Sequence, residues 1–323
     1  MERCQDELFR SAVTPVTQAS GPGYSATVRN MTSEPVIIEV AINGGTTKER
    51  NPNVPRTPDE IATDALACFE AGAAIIHNHI DLTGISEDEA AERYLEAWRV
   101  VLAERPDALW YPTVHFGATM SLEHLIPIAT SGLLRLGLTD PGSVNLGRLD
   151  EHGVPVGGLV YSNSFDAIAR GFDICRELRL GPSMAIFEPG FLRATLAYWR
   201  AGSLPEGAMV KLYFSAERGP LGAPFGLPPT AKALDAYLEL LEGCDLPWAV
   251  SASGSDVVAT EVAPLALERG GHLHIGLEFY GGDRKPTNVE LVVEAVELCE
   301  KSGRPVATPD QAAAILRLPR PRP

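Results

Sequence analysis

The sequence predicts a single α/β domain closed as a (β/α)8 barrel, and three observations carry that expectation. Eight short runs rich in β-branched and aromatic residues alternate with longer stretches of helical periodicity. Regular alternation of this kind demands a parallel sheet, and eight units favour closing it. A chain of 323 residues is long for an ordinary domain and normal for a barrel. No Gly-x-Gly-x-x-Gly follows the first run, which argues against a doubly wound dinucleotide-binding sheet. The expected architecture is that of a TIM barrel.

Residues 1–34, rich in Ser, Thr and Gly, are expected to form an irregular N-terminal arm, and residues 35–316 the barrel. The eight strands are expected at 36–42, 74–78, 109–113, 133–138, 184–187, 209–214, 248–251 and 272–277. Thr57-Pro58-Asp59-Glu60 reads as a helix N-cap followed by proline at the first helical position, and Thr308-Pro309-Asp310 repeats the device. Gly72, Gly181, Gly202, Gly243, Gly270 and Gly303 stand where helices are expected to end, because glycine takes the left-handed conformation without strain. Residues 317–323, dominated by proline and arginine, are expected to form a tail outside the core.

Composition narrows the function. The 27 basic against 42 acidic residues give a formal charge of -15, so most of the surface repels phosphate backbones and anionic membranes. Nucleic acid and membrane partners are therefore not expected. Cys4, Cys68, Cys175, Cys244 and Cys299 are odd in number and scattered without metal-binding spacing, as befits free thiols in a reducing compartment. The leader lacks the apolar core of a secretory signal and no apolar run reaches bilayer length, so a soluble, cytoplasmic protein is expected.

The strongest chemical signal is Ile75-Ile76-His77-Asn78-His79. Residues two apart on a strand project to one face, so both imidazoles point the same way at the C-terminal end of the second strand, where barrels keep their chemistry. The last strand is expected to carry Gly271 through Glu278, with His274, Gly276 and Glu278 on one face by parity, and closure sets the mouths of the second and last strands about 10 Å apart, across the first. Two histidines and Glu278 make the ligand set of a catalytic zinc ion, which non-haem Fe(II) also uses. The competing reading is a pair of hydrogen-bonded rim histidines. Glu39 is an acid within an apolar first strand, either a buried structural carboxylate or a base beside the metal; Asn43, on the same face, is placed to bind a carbonyl or carboxylate.

On these residues the sequence resembles the β-keto acid cleavage enzymes. The resemblance is carried by Ala41-Ile42-Asn43-Gly44-Gly45 with Asn51-Pro52-Asn53-Val54-Pro55, by Glu70-Ala71-Gly72-Ala73 through His79, by Gly270-Gly271-His272 through Glu278, and by Asn288-Val289-Glu290-Leu291-Val292 with Ala307-Thr308-Pro309. It implies zinc bound by His77, His79 and Glu278, a β-keto acid chelated through ketone and carboxylate, and exchange with acetyl-CoA to give a CoA ester and acetoacetate. It also implies a homo-oligomer, and a substrate contact from Ser143, which matches a family threonine.

The chain departs from the family at four places. The aspartate expected after the zinc glutamate is Phe279, the arginine four residues before that glutamate is His274, the loop after the first strand has lost a glutamate, and Ser251-Ala252-Ser253-Gly254-Ser255-Asp256 lacks a glycine-and-arginine pattern for CoA. Glu39, His115 and Asp283 are the candidate replacements for the base; Thr113 and Glu188, at the ends of the third and fifth strands, join Asn43 and Ser143 as candidate substrate contacts. The departures leave two further readings open: a CoA-independent, metal-dependent lyase or hydrolase of keto acids, and a barrel whose metal is a binding centre only.

Overall fold

The computed structural model describes residues 34–116, 120–217 and 222–320. Among them, eight parallel strands carry the fold: Ile38–Ala41, Ile75–Asn78, Leu109–Pro112, Leu136–Leu138, Gly181–Ile186, Met209–Ser215, Trp248–Ser253 and His272–Ile275. Hydrogen-bonded neighbours run from the third strand through the second, first, eighth, seventh, sixth and fifth to the fourth. The third and fourth strands lie side by side without a shared ladder, and this is the seam of the barrel. All eight strands fall on the expected runs.

Helices follow the strands because each has a start that the backbone can use. In Pro58–Ala71, Thr57 accepts from the Glu60 amide while Glu60 returns a bond to Thr57, and Gly72 ends the helix at φ 120°. Each such box contributes about 1 kcal/mol by satisfying otherwise orphaned amides. The same reciprocal cap opens Glu87–Glu104, Asn288–Lys301 and Pro309–Ile315. One expected stop is elsewhere: Phe165–Leu178 ends on Arg179, which takes the left-handed conformation at φ 59°, while Gly181 begins the fifth strand.

Strand parity sorts the side chains. His77 and Tyr111 point into the barrel, whereas their neighbours Asn78 and Trp110 face the helices, where Trp98 stacks on Trp110 at 4.4 Å and donates to Asn78 at 2.9 Å. The first strand is the keystone, pairing Ala41 with His77 on one side and Glu39 with His274 on the other. Asn288, the first residue of its helix, fastens three pieces together: it donates to the Ile42 carbonyl at 2.8 Å and to Asp64 at 2.7 Å, and it accepts from the Leu277 amide at 3.0 Å.

Three expectations are corrected. The eighth strand ends at Ile275, so Glu278 rides on the turn beyond it. Two hairpins were not foreseen, His115–Phe116 with Met120–Ser121, and Val144–Leu149 with Pro155–Tyr161. The second is closed by Asp150, whose carboxylate accepts from the His152 and Val154 amides. Finally, Leu318 in the C-terminal tail is buried, against Gly181 and Gly207. The arm lies outside the described residues except for Glu34, and Cys4 lies outside them too. The other four cysteines are unpaired thiols, and no helix among the described residues is long and apolar enough to cross a membrane.

Asp64 yields a stability prediction. Burial pushes its carboxyl up from 3.8 to about 6, against the hydrogen bond from Asn288. The unfolded chain therefore ionises first, and stability is lost as pH rises from 3.8 through 6. Asp64→Asn, which keeps an acceptor for Asn288, is expected to raise stability at pH 7 by about 1–2 kcal/mol, after allowing for screening of a partly exposed group, and to change nothing below pH 4. Urea titrations at the two pH values measure this; equal effects at both would rule out ionisation of Asp64 as the cause.

Candidate metal centre and active-site cavity

Three ligand atoms converge at the C-terminal mouth. His77 Nε2 lies 3.1 Å from His79 Nε2, and the two face the Glu278 carboxylate at 3.5 and 3.3 Å respectively. A tetrahedral ion with bonds of 2.0–2.1 Å separates its ligands by about 3.3–3.4 Å, so the spacing suits a small divalent metal. His77 Nδ1 donates to the Tyr111 carbonyl, which leaves a bare lone pair on Nε2. Burial pushes the His77 imidazole well below its usual range and keeps it neutral, as a ligand must be. Burial alone would raise the Glu278 carboxyl, but the facing His79 and His77 hold it down at about 2. Glu278 Oε2 is buried without a hydrogen-bond partner. An ionised, under-satisfied carboxylate against two imidazole nitrogens is a site that a cation completes.

The turn that delivers Glu278 is built around backbone approach. Gly276, at φ 121°, would place a Cβ 2.2 Å from the Ala41 carbonyl oxygen, so no larger residue fits. Beyond it the Glu278 amide donates to that same Ala41 carbonyl at 3.1 Å, and the Thr46 hydroxyl donates to the Leu277 carbonyl at 2.8 Å. Gly44 faces the carboxylate arm, and a Cβ there would stand 2.1 Å from Glu278 Cγ. Gly44→Ala is therefore expected to displace Glu278 and weaken metal binding by at least about 10-fold, by analogy with losses on disturbing ligand-orienting neighbours. A metal titration of this variant that overlays the wild type would show that Glu278 is not a ligand.

Behind the triad the barrel interior holds a charged cluster. Lys211, on the sixth strand, donates to Glu39 at 3.3 Å and to the Tyr111 hydroxyl at 2.5 Å, and that hydroxyl in turn donates to Glu39. The Tyr111 ring stacks on His77 at 4.4 Å, so a single ring separates the cluster from the metal ligands. His274, which burial keeps neutral, stands with Nε2 3.7 Å from Glu39. Above lies a cavity of about 120 Å³ lined by the triad, Lys211, Tyr111, Thr113, Tyr213 and an apolar wall that includes Phe279. Phe279 packs edge-on against Tyr213 and His274.

The nominated residues are distributed unevenly about this cavity. His77, His79, Glu278 and Thr113 line it. Glu39 is fully buried one layer below and reaches it only through Tyr111 and Lys211. Asn43 spends its amide on the carbonyls of Pro55 and His79 and on the amides of Gly44 and His79, which shapes the loop rather than presenting a free group. His115 is bound to the Ile85 carbonyl at 3.1 Å, and Asp283 is exposed on its turn. Ser143 closes the base of the long hairpin through Asn163, and Glu188 holds the Gly226 amide at 3.0 Å. Asn43, His115, Ser143 and Glu188 have polar work in the scaffold that spacing in the sequence does not reveal.

Lys211, Tyr111 and Tyr213 were missed. The signal for Lys211 was present: it is a charge within Met209-Val210-Lys211-Leu212-Tyr213-Phe214, the same anomaly that singled out Glu39. Each anomaly is the other's explanation, since an isolated charge in a barrel interior demands a partner.

A family model described as beta-keto acid cleavage enzyme matches residues 35–318. The chain is 29% identical over 294 residues to the 3-keto-5-aminohexanoate cleavage enzyme of Fusobacterium nucleatum, covering 88% of this chain and 98% of that protein. It is also 29% identical over 302 residues to the 3-oxoadipate:acetyl-CoA acetyltransferase of Cupriavidus necator, covering 89% and 96%. Among solved structures, the ternary complex of ObcA with a C4-CoA adduct and oxalate shares the fold, with a TM-score of 0.58 at 17% identity over 83% of this chain and 68% of that one.

Proposed function

The chain belongs to the beta-keto acid cleavage enzyme family, and from that premise we propose that it exchanges acyl groups between a β-keto acid and acetyl-CoA, yielding a CoA ester and acetoacetate. The observation that carries this reading is the convergence of His77, His79 and Glu278 at tetrahedral spacing on the wall of the cavity in a chain matched along its barrel. Zinc is the proposed metal, because two imidazoles and a carboxylate suit it and leave positions open to substrate. When bound, the ion would act as a Lewis acid on the keto oxygen and acidify the carbon beside it.

The chain's own groups then have definite tasks. Tyr111 fixes the His77 ring through its carbonyl and by stacking. Glu278 stays ionised through the acid range, so the site keeps a negative ligand. Phe279 and Tyr213 give the cavity an aromatic wall, and low-dielectric surroundings of this kind strengthen the charges beside them. Of the candidate bases, Glu39 is connected to the cavity through Tyr111 and Lys211. A proton taken from substrate would pass through one of these two polar heads.

The test is mass spectrometry of β-keto acids incubated with the zinc-loaded protein and isotopically labelled acetyl-CoA. Labelled acetoacetate formed only with acetyl-CoA supports the exchange. Turnover without acetyl-CoA would replace it with the lyase or hydrolase reading, which Phe279 favours by putting an apolar ring where the family resemblance implies an acid. A homo-oligomer is proposed as well; exposed Val154, Val160 and Phe165 on and beside the long hairpin supply apolar surface for it. Light scattering that gives a monomer mass would dismiss it.

A further inference from the structure

We propose that the cavity contains a carboxylate-reading subsite headed by Lys211, and that it takes a short β-keto acid whose far end is uncharged and apolar. This rests on the reading of the site as one for β-keto acids, and adds which atoms bind the acid and which member of that class fits.

The head of the subsite follows from donor counting. A lysine ammonium carries three N–H groups. In Lys211 one goes to Glu39 and one to the Tyr111 hydroxyl, and among the described residues the third has no protein acceptor. Lys211 is only 3% exposed, yet it lines the cavity, so the third donor has the cavity as its outlet. Glu39 does not line the cavity. The ion pair is thus turned with its cationic end toward the substrate and its anionic end into the barrel, where the Tyr111 hydroxyl also solvates it. A buried donor without an acceptor costs stability, and an anion arriving there removes that cost while making a charge-assisted hydrogen bond. Lys211 and the metal ligands border the same small cavity, with only the Tyr111 ring between their layers, so one short acid can face both.

The rest of the wall sets the tail. Val114, Leu138, Leu146, Leu159, Phe187 and Phe279 make most of it apolar, and Thr113, Ser183, Tyr161 and Tyr213 add hydroxyls but no charge. The remaining acid, Asp140, is already committed, accepting from the Tyr161 hydroxyl at 2.6 Å and from the Ala185 amide at 2.8 Å. A charged tail would give up its hydration to meet a largely apolar surface without a free counter-ion. The named substrates of the two relatives, 3-keto-5-aminohexanoate and 3-oxoadipate, carry an amine or a second carboxylate at that end. The wall predicts that this chain discriminates against both.

The experiment is calorimetric titration of the zinc-loaded protein, without acetyl-CoA, with 3-oxohexanoate, 3-oxoadipate, 3-keto-5-aminohexanoate and the neutral amide of 3-oxohexanoate. Wild type is expected to bind 3-oxohexanoate at least about 10-fold more tightly than either acid with a charged tail. Because Lys211→Met alone strands Glu39, the variant is Glu39→Gln with Lys211→Met, accompanied by Lys211→Arg. The double variant is expected to retain stoichiometric zinc, to lose about 10- to 100-fold in affinity for 3-oxohexanoate, and to bind the amide as wild type does. Lys211→Arg is expected to recover part of the loss. Equal binding of the acid by wild type and double variant would overturn the head of the subsite, and equal binding of charged and apolar tails would overturn the substrate class. The exchange reaction is judged separately: selective binding with no labelled acetoacetate refutes the reaction and leaves the subsite, whereas turnover with no selectivity does the reverse.

Discussion

Glu278→Ala is expected to lose stoichiometric metal and to lower kcat/KM by more than about 100-fold, since disturbing residues that merely orient a ligand already costs 10- to 100-fold. The magnitude follows from the donor set. Glu278 supplies the negative charge of the site, held ionised by His79 and His77 and positioned by the Ala41 carbonyl, the Thr46 hydroxyl and Asn288. Without it, only the two imidazoles remain, 3.1 Å apart, and a divalent ion must lean on solvent for charge compensation. Metal per chain by plasma mass spectrometry, alongside kcat/KM, checks this. Full metal occupancy in the variant would remove Glu278 from the ligand set, and full occupancy with no activity would assign it a role in chemistry alone.

Glu39→Ala is expected to destabilise the fold by about 3–5 kcal/mol, whereas Glu39→Met combined with Lys211→Met is expected to be near neutral for stability and strongly impaired in turnover. The single substitution strands an ammonium in a barrel interior where Tyr111, His274 and Tyr213 offer no negative charge: burial keeps His274 neutral and pushes both tyrosine hydroxyls well above their usual range. The double substitution removes both charges at once and replaces them with side chains of similar length. Urea unfolding of wild type, Glu39→Met, Lys211→Met and the double gives the coupling directly. Additive effects would mean that the 3.3 Å contact contributes nothing, and a fully active double variant would separate the cluster from catalysis.

These two experiments probe different depths of the molecule, and the depths differ in how far they could be read from the chain. His77 and His79 were legible because strand parity is local: alternate residues share a face whatever lies opposite. Glu278 was legible through family resemblance and proximity across the first strand. Its delivery was not, since the eighth strand stops at Ile275 and Gly276 turns the chain over Ala41, a contact between segments far apart in sequence. Asn43, Ser143 and Glu188 looked like substrate contacts because polar residues at strand ends often are. What occupies them is the backbone of loops whose course no periodicity encodes.

The alternation of strands and capped helices, the number of strands and the histidine pair belong to the sequence alone, because each depends on neighbours within a few residues. The pairing of Lys211 with Glu39, 172 residues apart, the burial of Glu39 behind Tyr111 and the apolar wall about Phe279 were decided only when the sheet closed. Closure sets which inward-facing residues meet, and an interior of low dielectric makes those meetings energetically decisive.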